Sequence, residues 1–85
     1  MHAEGDWTQE GTPAVLAEAK RFIEAGRVDL SGIGRVDSAG VALLLELKRR
    51  AQASGRTLQF VQAPPKLVTL ATFFGVDAFL LEPQS

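Results

Sequence analysis

Apolar residues recur along the chain at helical spacing in three segments, and short runs rich in β-branched residues separate these segments. The first segment predicts one continuous helix from Thr12, as its N-cap, to a stop at Gly26. A short strand is predicted at 27–31, followed by a turn at 32–37. The helical face follows i, i+1, i+4, i+7, i+8 spacing and consists of Val15, Leu16, Ala19, Phe22 and Ile23.

The remaining pattern continues this alternation. A leucine-rich helix is predicted from Ser38, as its N-cap, to about Ser54, where Gly55 ends it. Residues 57–61 alternate and predict a second strand. A third helix begins at Pro64-Pro65 and ends before Gly75, and residues 78–81 predict a last short strand. The apolar face of the third helix consists of Leu67, Leu70, Ala71 and Phe74.

This order of elements predicts an α/β fold with a mostly parallel or mixed sheet, because strands that alternate with helices form βαβ units. A length of 85 residues allows one domain over residues 1–85. Residues 1–11 are a polar N-terminal segment, either a loop or the end of a strand, and residues 83–85 are a tail.

Composition excludes several classes of function. The chain has no cysteine and one histidine, His2, in its polar terminus, so we expect no catalytic residues, no metal site and no cofactor. A formal net charge of -1 gives no reason to expect nucleic-acid binding, and Lys48-Arg49-Arg50 is interpreted as a solvated helix face. There is no apolar run of about 18 residues and no signal-peptide pattern, which predicts a soluble cytoplasmic protein.

The start of the second helix carries the candidate functional site. Asp37 and Ser38 lie at a helix N-terminus, where backbone N–H groups are unpaired, and residues 39–45 are apolar almost all round. Either neighbouring loops bury this helix end, or it is a contact patch for another protein. The candidate partner-binding residues are Asp37, Ser38, Ala39, Gly40, Val41, Ala42 and Leu45.

Ser38 allows two interpretations. As an N-cap it would stabilise the helix by about 1 kcal/mol. As a phosphorylation site it would place a phosphate beside Asp37 and within an apolar contact, where repulsion and desolvation would switch binding off.

The runs Val28-Asp29-Leu30-Ser31-Gly32 and Val36-Asp37-Ser38-Ala39-Gly40-Val41 resemble the STAS domain family. In that family a strand ends in Asp-Leu-Ser-Gly, and Asp-Ser-Ala/Ser-Gly then opens a leucine-rich helix. The likeness covers roughly residues 5–82. It implies a single STAS domain that works by binding proteins rather than by catalysis.

The resemblance leaves two branches open. In anti-sigma-factor antagonists, the serine that matches Ser38 is phosphorylated by a partner kinase. In the small cytoplasmic STAS subunit of the Mla-type ABC system, which moves phospholipids and maintains outer-membrane lipid asymmetry, the domain docks on the ATPase subunit and supports its assembly and activity. Residues 41–47 and 66–76 look more like the second branch, which would bring the protein to the inner face of the cytoplasmic membrane only through its partner. The position of Ser38 is commonly threonine there, so the serine is a departure.

A second departure lies at the N-terminus. Family members usually carry a strand pair before the first helix, whereas this chain has only about eleven residues there. We therefore expect the first strand to be missing or shortened, with residues 3–8 as the end of the second. Either the true start lies upstream, or a sheet edge is exposed and could pair with a partner or with a second copy of the chain as a homodimer.

Overall fold

The computed structural model describes residues 1–80. Three strands and five helices alternate along this part of the chain. The strands are β1 (His2–Trp7), β2 (Arg27–Val36) and β3 (Gln59–Val61). The helices are α1 (Thr12–Leu16), α2 (Ala19–Ala25), α3 (Ser38–Ala53), α4 (Pro65–Phe73) and α5 (Asp77–Leu80).

The strands form one parallel sheet in the order β1-β2-β3. Parallel neighbours need a crossover, so α1 and α2 connect β1 to β2, and α3 connects β2 to β3. This arrangement confirms the predicted α/β fold with a parallel sheet. The polar segment at 1–11 contains β1, and within the described chain this single strand precedes the first helix.

β2 corrects the predicted turn at 32–37, because the strand continues through it to Val36. Two register shifts in the pairing with β1 accommodate the extra residues of β2. The N–H of Ser31 donates to the Asp29 carboxylate at 2.8 Å, and the N–H of Arg35 donates to the Asp6 carboxylate at 3.0 Å. Carboxylates therefore satisfy backbone groups where the regular ladder is interrupted.

The predicted first helix is wrong in its continuity and in its cap. It is divided into α1 and α2, because the Glu18 N–H bonds to the Val15 carbonyl three residues back and closes α1 early. Gly11 occupies the N-cap position, and Thr12 is already helical. The predicted stop at Gly26 is confirmed, since this residue caps α2 with a φ of 76°.

The predicted last strand is wrong over its described part. Residues 78–80 belong to α5, in which the N–H groups of Phe79 and Leu80 both bond to the Val76 carbonyl. A run of so few apolar residues has no period that separates strand from helix, and Asp77 favours a helix start. Leu81 and the predicted tail at 83–85 lie outside the described residues.

The hydrophobic core lies between the sheet and the helices. Trp7, at the end of β1, is buried, and its ring meets the ring of Phe22 edge to face with 5.9 Å between centroids. Its Nε1 donates to the Glu4 carbonyl at 3.3 Å. Other large side chains that are fully buried include Leu30, Leu44, Leu47, Phe60 and Leu67.

Gly40 brings the first turn of α3 against the ends of β1 and β2. A Cβ atom at this position would contact the Trp7 carbonyl oxygen and would lie 2.7 Å from Cγ2 of Val36. Glycine is therefore required for the close approach of the helix to the sheet. The same approach lets the Asp37 N–H donate to the Trp7 carbonyl at 3.4 Å.

We expect Gly40→Ala to lower the free energy of unfolding by about 1 to 3 kcal/mol, because the added methyl group overpacks this contact. Alanine alone would favour a helix by about 1 kcal/mol, so the sign of the change distinguishes steric conflict from helix propensity. Urea denaturation measures the difference. Ser38→Ala, at an exposed position of the same turn, is the control and should change stability by less than about 0.5 kcal/mol. A Gly40→Ala variant more stable than the wild type would show that the contact has room for a side chain.

Candidate functional site

The candidate site starts at the junction between β2 and α3, which Asp37 occupies. Its Oδ1 accepts hydrogen bonds from the N–H groups of Ala39 at 2.8 Å and Gly40 at 3.4 Å. Its Oδ2 accepts a hydrogen bond from the Gln9 N–H at 3.1 Å. One carboxylate thus satisfies donors at the start of α3 and also ties the loop after β1 to this helix.

Ser38 is not the N-cap that the sequence predicted. The N-cap is Asp37, whose extended backbone (φ -134°, ψ -168°) directs its carboxylate toward the first turn. Ser38 is the first helical residue, and its side chain is exposed. The hydroxyl is therefore not required for the capping bonds of α3.

The seven predicted site residues fall into three groups by their exposure. Gly40 and Val41 are buried, so they pack α3 against the rest of the fold and present no side chain to a partner. Ser38 and Ala42 are exposed, and the remaining members, Asp37, Ala39 and Leu45, are half-buried. The apolar helix start is therefore divided, because Val41, Leu43 and Leu44 are buried in the core while Ala42 on the other side is exposed.

The accessible residues form one strip along α3. At about 100° per residue, Ser38, Ala42 and Leu45 fall within an arc of about 60° on the helix surface. Ala39 lies beside this arc. We call Ser38, Ala39, Ala42 and Leu45 the α3 strip. It is uncharged and small in side-chain size except at Leu45, so the backbone of another protein could approach it closely.

A groove between α1 and α3 borders the α3 strip. It has a volume of about 350 Å³, and its lining is largely apolar. The small side chains of Ala39 and Ala42 leave this space open, while Glu46 lies at its charged end. The groove can receive an apolar side chain from a partner. Its lining residues are Thr12, Pro13, Leu16, Ala39, Ala42, Leu43 and Glu46.

Glu46 is paired with two arginines of the next turn. Its Oε2 accepts from Nη2 of Arg49 at 2.7 Å and from Nε of Arg50 at 2.8 Å, and its Oε1 accepts from Nε of Arg49 at 2.8 Å. Hydrogen bonds from Arg49 and then Arg50 lower the pKa of Glu46 to about 2. The bond to Glu46 also raises the pKa of Arg49. This end of the groove therefore stays charged and paired at neutral pH.

Sequence reasoning missed an exposed aromatic patch on α4 and α5. Phe73, Phe74 and Phe79 are 81%, 48% and 50% exposed. Phe74 was predicted to share the apolar face of the third helix, and Phe79 was placed in a strand. The signal that could have found the patch is Phe73 in the pair before Gly75, because helical spacing places it outside the apolar face of the third helix. Lys48 Nζ lies 5.7 Å from the Phe79 ring centroid.

Residues 1–80 contain neither a metal-binding cluster nor a membrane-spanning helix. In this range, no three His, Asp or Glu side chains are grouped so that they could hold a metal ion. No helix of the described chain has the length and apolar content needed to cross a bilayer.

β1 is an edge of the described sheet, where pairing with a second copy was predicted. Gly5 has a φ of 82°, and the register with β2 shifts on either side of the Glu4–Gly5 pair. The N–H and C=O groups along the free edge of β1 are therefore irregularly spaced, which disfavours pairing with a further strand. The homodimer stays a prediction.

Two comparisons with known proteins give matches to the same kind of protein. The family described as "Mlab, STAS domain" matches residues 1–82. The chain is also similar to the "Intermembrane phospholipid transport system binding protein MlaB" of Haemophilus influenzae. The two are 31% identical over 81 residues, which covers 87% of this chain and 69% of that protein. The family match includes the whole α3 strip and both sides of the groove beside it.

We expect Asp37→Ala to lower the free energy of unfolding by about 1 to 2 kcal/mol, because the start of α3 and Gln9 both lose their acceptor. Asp37→Asn keeps one acceptor oxygen, so its free energy of unfolding should fall by less. Ser38→Ala should change stability by less than about 0.5 kcal/mol. Urea denaturation of the three variants measures these differences. If Ser38→Ala lowered the free energy of unfolding as much as Asp37→Ala, Ser38 would contribute to the cap and the assignment of Asp37 alone would be wrong.

The Glu46 cluster should stabilise the fold in a pH-dependent way. Its folded pKa, about 2, is below the ordinary value of 4.5, so the stabilisation is fully present above pH 4.5 and is lost as the pH falls toward 2. We expect the difference in urea midpoint between the wild type and Glu46→Gln to shrink over this range. A difference that stays constant with pH would contradict the role of the ionised carboxylate.

Proposed function

The chain belongs to the STAS domain family, and from this premise we propose that it binds the ATPase subunit of an ABC phospholipid-transport complex and supports its assembly and activity. The similarity to a protein named for intermembrane phospholipid transport supports the transport role. The exposed α3 strip beside an apolar groove is the structural observation that carries the proposed contact.

In this proposal, the seven site residues act in two ways. The α3 strip touches the ATPase subunit directly, and the groove beside it receives an apolar side chain of that subunit. Asp37, Gly40 and Val41 hold the strip in place, because they fix the start of α3 against the sheet. A preformed surface binds at a lower entropic cost than one that must order on contact.

The protein then contributes binding energy rather than chemistry. A subunit that binds only the folded ATPase shifts the folding equilibrium of that ATPase toward the assembled form. It would reach the inner face of the cytoplasmic membrane through this partner and would help to maintain the lipid asymmetry of the outer membrane.

A second candidate function is that of an anti-sigma-factor antagonist. The observation that favours it is the exposed side chain of Ser38, which the capping bonds of α3 do not use. A kinase partner could reach this hydroxyl. Phosphate there would lie beside the Asp37 carboxylate and on the α3 strip, so modification would weaken the contact.

We expect Ser38→Asp and Leu45→Arg to abolish co-purification with the co-expressed ATPase subunit of the transporter. Each places a charge on the α3 strip, where it would lose water in the contact. Ser38→Asp should remain folded, because a negative charge suits a helix N-terminus. Gln52→Arg, at an exposed position later on the same helix, is the matched control and should co-purify normally.

Circular dichroism and urea denaturation confirm that each variant is folded before its binding is scored. Normal co-purification of both Ser38→Asp and Leu45→Arg would refute the proposed surface. ATP-dependent transfer of phosphate to Ser38 by an anti-sigma kinase, seen by mass spectrometry, would favour the second function instead.

A further inference from the structure

We propose that the chain has a second interaction site, which binds an acidic polypeptide segment containing apolar residues. The site is the groove between α2 and the C-terminal half of α3, and we call it the basic groove. It has a volume of about 560 Å³. Four cationic side chains line it, from Lys20, Arg49, Arg50 and Arg56, and its floor includes Ala19 and Ile23.

The charge of the basic groove is not balanced by nearby carboxylates. Glu24 is the acidic residue in its lining, and it lies 3.9 Å from Lys20 Nζ at an exposed position. Glu46 pairs with Arg49 and Arg50, so two carboxylates face four cations. Within residues 1–80, no carboxylate lies within ion-pair distance of Arg56. The groove therefore has a surplus of positive charge in a chain whose formal net charge is -1.

Glu46 also prepares two of these cations for a ligand. It accepts from Nε and Nη2 of Arg49, which fixes the plane of that guanidinium group, and from Nε of Arg50, which orients the second one. In the described structure, both Nη atoms of Arg50 and Nη1 of Arg49 make no hydrogen bond to the protein. Oriented guanidinium groups lose less side-chain entropy when they bind a carboxylate.

The floor of the basic groove favours a polypeptide over a small anion. Ala19 and Ile23 are nearly buried members of the core cluster, and Ala53 adds another apolar side chain to the lining. Inorganic phosphate could not use these apolar surfaces. A segment with both acidic and apolar side chains complements the cations and the floor together.

Two other anionic partners fit less well. A flat membrane surface could contact the exposed cations but would not reach Ala19 and Ile23 at the floor of the groove. A nucleic acid would gain little from a lining without an aromatic side chain for base stacking. The charge and the shape therefore favour an acidic segment of a protein.

The basic groove shares no lining residue with the groove of the proposed ATPase contact, although Glu46 of that groove binds Arg49 and Arg50. The α3 strip ends at Leu45, and the groove uses Arg49 and later residues together with α2 instead of α1. The proposal therefore stands or fails independently of the proposed function.

The test titrates the full chain, labelled with ¹⁵N, with a short synthetic peptide of alternating leucine and glutamate. We expect chemical-shift changes concentrated at residues 19–24 and 49–56, and binding that weakens as salt is added. A peptide of alternating leucine and lysine, sodium phosphate and vesicles containing phosphatidylglycerol serve as competing probes. Each should give much smaller changes in these residues.

Charge-reversal variants test the groove residues. Lys20→Glu and Arg56→Glu should each weaken peptide binding about tenfold, because each turns an attraction into a repulsion. Lys66→Glu makes the same change in net charge at an exposed position of α4 outside the groove, and should leave the affinity unchanged. Urea denaturation of all three variants confirms that they are folded.

Three results would overturn the proposal. Equal weakening by Lys66→Glu would mean a general attraction without a site. Comparable binding of the leucine–lysine peptide would mean that charge does not select the ligand. Shifts in the groove with phosphate or vesicles, and none with the acidic peptide, would assign it to a phosphate or a lipid surface.

Discussion

The close approach of α3 to the ends of β1 and β2 is the constraint on which the candidate site depends. Gly40 leaves the space for this approach, and the Asp37 carboxylate supplies the bonds that hold it. Because Oδ2 of Asp37 reaches the Gln9 N–H, the same residue also holds the segment that leads into α1. Asp37 therefore helps to position α1 and α3, the two helices that form the walls of the apolar groove.

Much of the fold follows from spacing, since alternating helical and extended periods predict a parallel α/β sheet. The errors arise where tertiary contacts decide local structure. Asp37 and Ser38 are both good caps, and only the backbone conformation at their junction selects the first. β2 continues past Gly32 because it pairs there with β1, which is distant in sequence, through Gly5–Ile33 and Trp7–Val36. No local pattern contains that information.

The candidate site could be predicted only in part, because helical periodicity gives the face of a residue but not its neighbours in the folded chain. Helical periodicity places Ala42 outside the arc that faces the sheet, and the structure shows it exposed. Periodicity also places Val41 in that arc, and the structure shows it buried, but periodicity does not say which exposed residues a partner would contact. Nor does it reveal that α2 and α3 together form a basic groove: Arg49 and Arg50 are adjacent in sequence, whereas Lys20 meets them only in the folded chain. Thus α3 presents an uncharged surface at its beginning and a cationic one at its end.

The parallel pairing of β1 with β2 has a consequence for the order in which the chain can fold. His2 pairs with Asp29 and Trp7 pairs with Val36, so the first strand has no partner in the sheet until the entire α1–α2 crossover has been made. During synthesis, β1 must wait while the ribosome completes the crossover and β2. Such sequence-distant contacts slow folding, because the chain loses the entropy of closing the loop before pairing stabilises it. Of the described strands, β1 is therefore made before its partner in the sheet and stays unpaired until β2 follows it.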